Sequence, residues 1–231
     1  LKTIKTLCRN KYFILITLAF AVIYTSLGLT GGSRIYYAKY VLGDEMLNST
    51  MTMFNYIPTI LTIMLIPVFT KRFGKIKALF VGFLFYAAGL VLEIAGPVNL
   101  PMIYTGLVLQ GIGHAALYSC LFAIVGDVVD YSEWKDGIRE EGITYSVTSF
   151  GQKIGTGLGT AALGWILAAG HYDGTAAVQS ASAIFAIKGL FLYLPLVITV
   201  IVLIIWYLFM GIDKIYPTVR KELDERREKA E

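Results

Sequence analysis

The chain has 231 residues, of which 56% are hydrophobic and 16% charged, with a formal net charge of +4. Soluble globular domains carry about 25% charged residues, so these proportions, with a mean hydropathy of +0.66, exclude an ordinary soluble domain. Apolar runs of about 20 residues recur, the length that crosses a bilayer core of roughly 30 Å, and an integral membrane protein is expected.

Six spans are read in chain order: about 12–30, 51–70, 78–96, 101–125, 144–169 and 189–212. Each is expected to be helical, because in lipid the backbone must satisfy its own hydrogen bonds. The runs are too long and unbroken for barrel strands, which alternate every second residue. Residues 1–212 are therefore expected to form an all-α, six-helix transmembrane domain, with a charged cytoplasmic tail over 213–231. The first span is too long for a cleavable signal peptide and lacks the small residues of a cleavage site after it.

Lys and Arg in the connections set the expected orientation. Lys2, Lys5, Arg9 and Lys11 precede the first span, and KRFGKIK joins the second to the third. With Lys135, Arg139 and six more in the tail, that side holds sixteen, against Arg34, Lys39 and Lys188 on the other. Both termini are expected in the cytoplasm, and the multi-pass protein in the cell (inner or plasma) membrane. The positive excess sits where topology wants it and requires no nucleic acid. The tail YPTVRKELDERREKAE is expected to be a solvated helix of mixed charge, with anionic lipid as an alternative contact. Cys8 and Cys120 are expected to be packing residues without a redox role.

Three polar groups inside the spans are costly to place in lipid. Glu93 lies three residues before Gly96-Pro97 and is expected to reach the outer interface. His114, in QGIGHAALYS, is expected to be hydrogen-bonded packing. Lys153 lies about ten residues into the fifth span, too deep for easy snorkelling, and Ser149, Thr156 and Thr160 make a polar stripe around it. An internal salt bridge would be the plain structural explanation, yet no acid in the spans offers itself. The other side of the same helix carries Gly151, Gly155 and Gly159, a spacing that lets a neighbouring helix approach closely. The fifth span thus has one face for packing and one for water or a ligand.

No enzyme is read from the sequence. GTGLGT lies in a transmembrane run with no strand before it. The Gly-x-Gly-Asp of an intramembrane aspartyl protease lacks its first glycine before Asp127, and no Gly-x-Ser-Gly turn or metal-ligating cluster is present. The densest charge lies in GDVVDYSEWKDGIREEG, with six acids and two bases in seventeen positions. Asp127, Asp130, Tyr131 and Trp134 fall at i, i+3, i+4 and i+7, one stripe at the end of the fourth span. Carboxylates oppose the helix dipole there, so cationic partners are expected from Arg139 or the KRFGKIK loop. A solvated acidic loop is the alternative.

The run GDVVDYSEWKDGIREEGITYSV followed by Lys153 resembles the signature of the glycoside–pentoside–hexuronide:cation symporters, the melibiose-permease-like branch of the major facilitator fold. In that family Asp-x-x-Asp-Tyr closes the tenth helix and Arg-x-Glu-(Gly or Ser)-Ile-x-Tyr-Ser opens the eleventh, with an intramembrane Lys after it. The corresponding positions are Asp127, Asp130, Tyr131, Arg139, Glu141, Tyr145, Ser146 and Lys153. YYAKYVLG at 36–43 resembles the exit of the seventh helix. Asp136 is a departure, since many relatives place Thr before that glycine.

The resemblance covers only the family's second half and implies a C-terminal six-helix bundle of a major-facilitator-type transporter, moving a sugar with Na⁺ or H⁺ by alternating access. No cofactor is implied, and the main ligands of the coupling cation are expected on an N-terminal six-helix half. Tyr118 would be a stacking surface for the sugar. Thr148, Ser149, Gln152 and Lys153 would supply hydrogen bonds and charge. Asp127, Asp130, Arg139 and Glu141 would form the cytoplasmic gate. The implied partners are the sugar, membrane lipid and the N-terminal half, in the same chain or a separate one. Leu1 in place of Met fits a fragment or a processed chain, and a homodimer of two such halves is a further arrangement. A non-transporting subunit or sensor that kept the fold, and a carrier of a non-sugar solute, are the alternative functions.

Overall fold

The computed structural model describes residues 7, 9–137, 139–176 and 178–229. Lys2, Lys5, Cys8 and the last two positions of the tail lie outside them. The described chain is helical. Helix α1 runs over Lys11–Tyr40, α2 over Leu47–Ile63, α3 over Ile66–Phe73, α4 over Lys75–Ala95 and α5 over Leu100–Asp136. Helix α6 covers Glu141–Ala169 and α7 Ala181–Lys188, followed by a π-helical turn at Gly189–Tyr193, α8 at Leu194–Phe209 and α9 at Gly211–Glu228.

The starts and stops follow local chemistry. Asn10 caps α1 by accepting from the Tyr12 amide at 2.9 Å, and Asn99 caps α5 by accepting from Met102 at 3.2 Å, each satisfying a donor that the first turn leaves free. Gly137 ends α5 at φ 65°, in the left-handed region that glycine enters without a Cβ penalty.

Four elements are long and apolar enough to cross a membrane: α1, α4, α5 and the continuous run Ala181–Phe209. The α2–α3 pair reaches that apolarity only jointly, and it is bent by 55° at its break. Pro67 lies in the first turn of α3, where it can neither donate to the preceding turn nor let its neighbour stay freely helical. The uninterrupted 51–70 span is thus corrected to a broken one. Helix α6, with 29 residues, is long enough but less apolar, because its stripe of Ser, Thr, Gln and Lys lowers its average. Two of the sequence-read spans are too short: α1 continues ten residues past position 30 through Gly31 and Gly32, and α5 extends through the acidic cluster to Asp136. Arg34 therefore lies inside a membrane-length helix and not in a connection.

Close backbone approaches hold the bundle together. Helices α1 and α6 meet at Gly28, Gly155 and Gly159, where an added Cβ would run into the backbone of Thr156, Ala21 and Thr25 respectively. The expected glycine face of α6 is therefore a packing face, buried at Gly151, Gly155 and Gly159. Helices α4 and α5 meet the same way at Gly82 against Gly113 and Gly89 against Gly106. Helix α2 leans on α5 through Asn55 and Thr59, which donate to the carbonyls of Leu107 and Gly111 at 3.2 and 2.9 Å. The buried apolar residues form two clusters. One, around Phe20, Leu79, Leu121 and Trp206, lies toward the basic loops. The other, around Tyr37, Leu107, Ile187 and Phe191, lies toward the opposite end.

Candidate functional site

Two groups of polar residues occupy this frame. The first is at the end of the bundle that carries the basic loops. Lys75, in the first turn of α4, donates to both oxygens of Asp127 at 2.6 and 2.9 Å. Arg139, in the α5–α6 connection, donates to Asp130 at 3.1 Å and Glu133 at 2.5 Å, and its other terminal nitrogen donates to Glu141. Tyr216 of α9 donates to Asp130 at 2.9 Å, and Arg227 donates to Glu133 at 3.0 Å. Glu133 first, and Glu141 after it, hold the Arg139 guanidinium above its ordinary pKa, so it stays charged throughout the physiological range.

Asp127, Asp130, Arg139 and Glu141 are thus brought together, with cations drawn from both expected sources. The acidic stripe is helical and partnered, which overturns the solvated-loop alternative. Lys75, Glu133 and Tyr216 complete the network and are not among the expected gate residues. Glu133 was findable: it follows Asp130 by three positions and shares its helix face. Tyr216 was not, because nothing local places the tail against α5.

That tail corrects another expectation. Helix α9 is not freely solvated: Ile212, Val219 and Leu223 are buried, Trp134 donates to Glu222 at 2.7 Å, and Arg226 donates to the Trp134 carbonyl at 3.2 Å. Asp213 accepts from the amides of Ile76 and Lys77, each at 3.1 Å, the free donors at the start of α4. The preceding Gly74 has φ 95° and no room for a side chain beside that carboxylate. Burial pushes the Asp213 carboxyl above its usual pKa, against the pull of those amides.

The second group lines the open face of α6. Tyr145, Ser146, Ser149, Phe150 and Lys153 border one hollow. Gln152 is half-buried, while Ser149, Lys153, Thr156 and Thr160 are exposed. The hydroxyls of Thr156 and Thr160 donate back to their own helix at 3.0 and 2.9 Å, leaving Lys153 as the cation of the stripe. Among the described residues no carboxylate lies within ion-pair distance of it.

Thr148 is corrected. It is fully buried, and its hydroxyl donates to Thr144 and Tyr145 carbonyls at 3.1 and 3.0 Å. It lies three residues before Gly151, on the glycine side of the helix, so it packs and does not face the hollow. Tyr118 of α5 is 47% exposed and lies within electrostatic reach of Tyr24, Tyr56 and Arg34. It borders the open side of the bundle but is not among the residues that line the hollow at Lys153.

His114 packs through its ring, 4.9 Å from Tyr86 and 5.9 Å from Tyr118 between centroids. No hydrogen bond of its side chain is found among the described residues, so the expected mode of packing is corrected from polar to aromatic. Glu93 is also corrected. It is fully buried between α4 and α5 and does not reach an interface.

Residues 1–214 match the MFS/sugar transport protein family. The isoprimeverose transporter of Lactiplantibacillus pentosus is 30% identical over 229 residues, covering 97% of this chain and 47% of that protein. The glucuronide carrier protein homolog of Escherichia coli K12 is 26% identical, covering 97% of this chain and 50% of that protein. A Bacillus subtilis protein named an uncharacterized symporter is 26% identical over 231 residues, covering 96% and 49%. The chain spans about half the length of the curated relatives it matches. An all-helical, multi-pass membrane bundle matched over nearly its whole length by one family leaves a single assignment: this chain belongs to the MFS/sugar transport protein family.

Proposed function

We propose that the chain is the C-terminal six-helix half of a secondary active transporter that carries a sugar, of the glycoside, pentoside or hexuronide class, together with Na⁺ or H⁺. The observation that carries this reading is the division of α6, glycine-packed on α1 along one side and open along the other with Lys153 at its centre. A cation exposed at that depth in a membrane helix is costly and marks a face turned to a substrate path. The relatives' names, a transporter of isoprimeverose and a glucuronide carrier homolog, support sugar as the solute class.

In this reading the N-terminal half, in the same chain or a separate one, faces the hollow, and the main ligands of the coupling cation lie on it. Ser149, Gln152 and Lys153 bind the substrate, and Tyr118 offers it a stacking surface; Thr148 is withdrawn as a binding residue. The bent α2–α3 pair and α6 count as spans, which makes six, with both termini cytoplasmic. The apolar exposed faces of α2 and α8 meet lipid. Asp127, Asp130, Arg139 and Glu141 act as the cytoplasmic gate, their ion pairs exchanging partners between the two halves as the carrier rocks.

The test is uptake of labelled glycosides into cells expressing the complete carrier. Lys153→Ala abolishes uptake while membrane expression stays normal. Unchanged uptake would remove Lys153 from the site. Binding of glycoside by the wild-type carrier without any uptake would favour a sensor, and uptake of organic acids in place of sugars would change the solute class.

A further inference from the structure

The charge that the site above does not use is Glu93. It lies two residues before the end of α4, with 0% exposure. It was placed there by register: Gly82, Gly89 and Glu93 share the face of α4 that is pressed on α5, and Gly106 of α5 is a glycine where the Glu93 side chain passes. A Cβ at position 106 would come within 2.6 Å of Glu93 Cγ and 3.0 Å of Oε1. Neither carboxyl oxygen has a hydrogen-bond partner among the described residues.

The groups around it are polar and also incompletely partnered. Gln110 of α5 lies beside it across Gly89 and is the neutral donor nearest the carboxyl, yet the two side chains do not meet in hydrogen-bond geometry, which leaves the Gln110 amide nitrogen buried without a partner. From α1, Arg34 lies within electrostatic reach. Arg34 Nη1 is instead held by Thr52 of α2 at 3.2 Å, and its Nε is buried without a partner. Tyr37 of α1 and Tyr86 of α4 itself lie within electrostatic reach of the carboxyl, as Tyr193 does of Tyr37, and the His114 ring packs on Tyr86. Tyr37 donates to the Pro97 carbonyl, just past the end of α4.

A carboxylate buried in a membrane helix interface without donors is strongly disfavoured, whereas the neutral acid is tolerated and can itself donate. Arg34, within electrostatic reach and held only by Thr52, is the natural counter-charge once the proton has left. We propose that Glu93 is a membrane-buried proton-binding site of this half, occupied by a proton in the packed state seen here and exchanging that proton for the Arg34 guanidinium when α1 shifts against α4. Its use in coupling rests on the transport reading above; its occupancy by a proton does not.

The experiment is infrared spectroscopy of the chain in lipid nanodiscs, titrated with pH. The wild type is expected to show a protonated-carboxyl C=O band at pH 7 that shifts in D₂O, is lost in Glu93→Gln and bleaches as pH rises. Arg34→Gln should move the bleaching midpoint up by about 1 pH unit or more, as loss of a nearby cation does. Glu93→Asp, which keeps the acid, should retain a band with a displaced midpoint, covering the case where the glutamine variant does not fold. Identical carboxyl regions in wild type and Glu93→Gln across the titration would overturn the proposal. So would a Glu93→Gln protein that loses no band but melts much lower, the behaviour of an ionised structural pair. In the complete carrier, Glu93→Gln should keep sugar exchange and weaken the dependence of uptake on a pH gradient; an unchanged dependence would refute coupling. A carrier that moves no sugar would refute the transport reading and leave the infrared result standing.

Discussion

The charges at the basic end of the bundle and those along its membrane-length helices are built on opposite plans. At the end, Asp127, Asp130, Glu133, Glu141 and Asp213 each accept from a cation, a hydroxyl or a backbone amide. Along the helices, the exposed Lys153 has no carboxylate within ion-pair distance among the described residues, and buried atoms of Glu93, Gln110 and Arg34 have no partners there. The first region holds a conformation together. The second carries electrostatic cost that the fold does not recover internally, the usual condition of groups kept for function.

The comparison makes opposite predictions for stability and transport. The largest effect separates the two at one residue: Lys153→Met should remove essentially all uptake yet leave unfolding in detergent within about 0.5 kcal/mol of wild type, since surface-like positions rarely move it further. A large loss of stability would place Lys153 in the structural class instead. Next comes Lys75→Ala, which strands Asp127, whose side chain is only 8% exposed. A fully buried pair costs about 3–5 kcal/mol when broken; Lys75 is itself 33% exposed, so about 2 kcal/mol is expected in chemical denaturation, scaled down for solvent screening. Adding Asp127→Asn should recover most of that loss, and failure to recover it would mean the pair is not the source.

Smaller is Asp213→Asn, which weakens the cap on α4 and should cost about 1 kcal/mol, with faster hydrogen exchange at the Ile76 and Lys77 amides as the local readout. Unchanged exchange there would remove the capping role. The smallest is Arg227→Ala, an exposed partner of Glu133, which should cost less than about 1 kcal/mol and vanish in high salt.

What could be read from residues alone divides along the same lines. The two faces of α6 were legible because glycines at spacing four and a polar stripe are both local patterns. The acidic stripe was legible for the same reason, including its need for cations. Glu93 was misread because distance from a span end was weighed above register, and Thr148 because its role was carried over from the family resemblance without asking which face of the helix it occupies. Each shares a face with glycines of its own helix, Gly151 and Gly155 for Thr148, Gly82 and Gly89 for Glu93, and that register points to burial. Arg34 was misplaced because the first span was ended at about position 30, the length that crosses a bilayer, while the helix runs on to Tyr40 with Gly32 packed close to Leu163 of α6. The docking of α9 had no local signal, since its partners lie more than eighty residues away.

The joining of α1 to α6 has a consequence for how the chain is made. Gly28 meets Thr156, and Gly155 and Gly159 meet Ala21 and Thr25, each more than a hundred residues apart. Helix α1 is synthesised before α6 and must wait in the bilayer until α6 has been inserted before its small-residue face finds that mate. Contacts of such long sequence separation form slowly, so the nascent bundle passes through a stage with that groove open to lipid or to chaperones of the insertion machinery. Substitutions on α6 that leave the finished protein sound can therefore still lower its yield, by prolonging that wait.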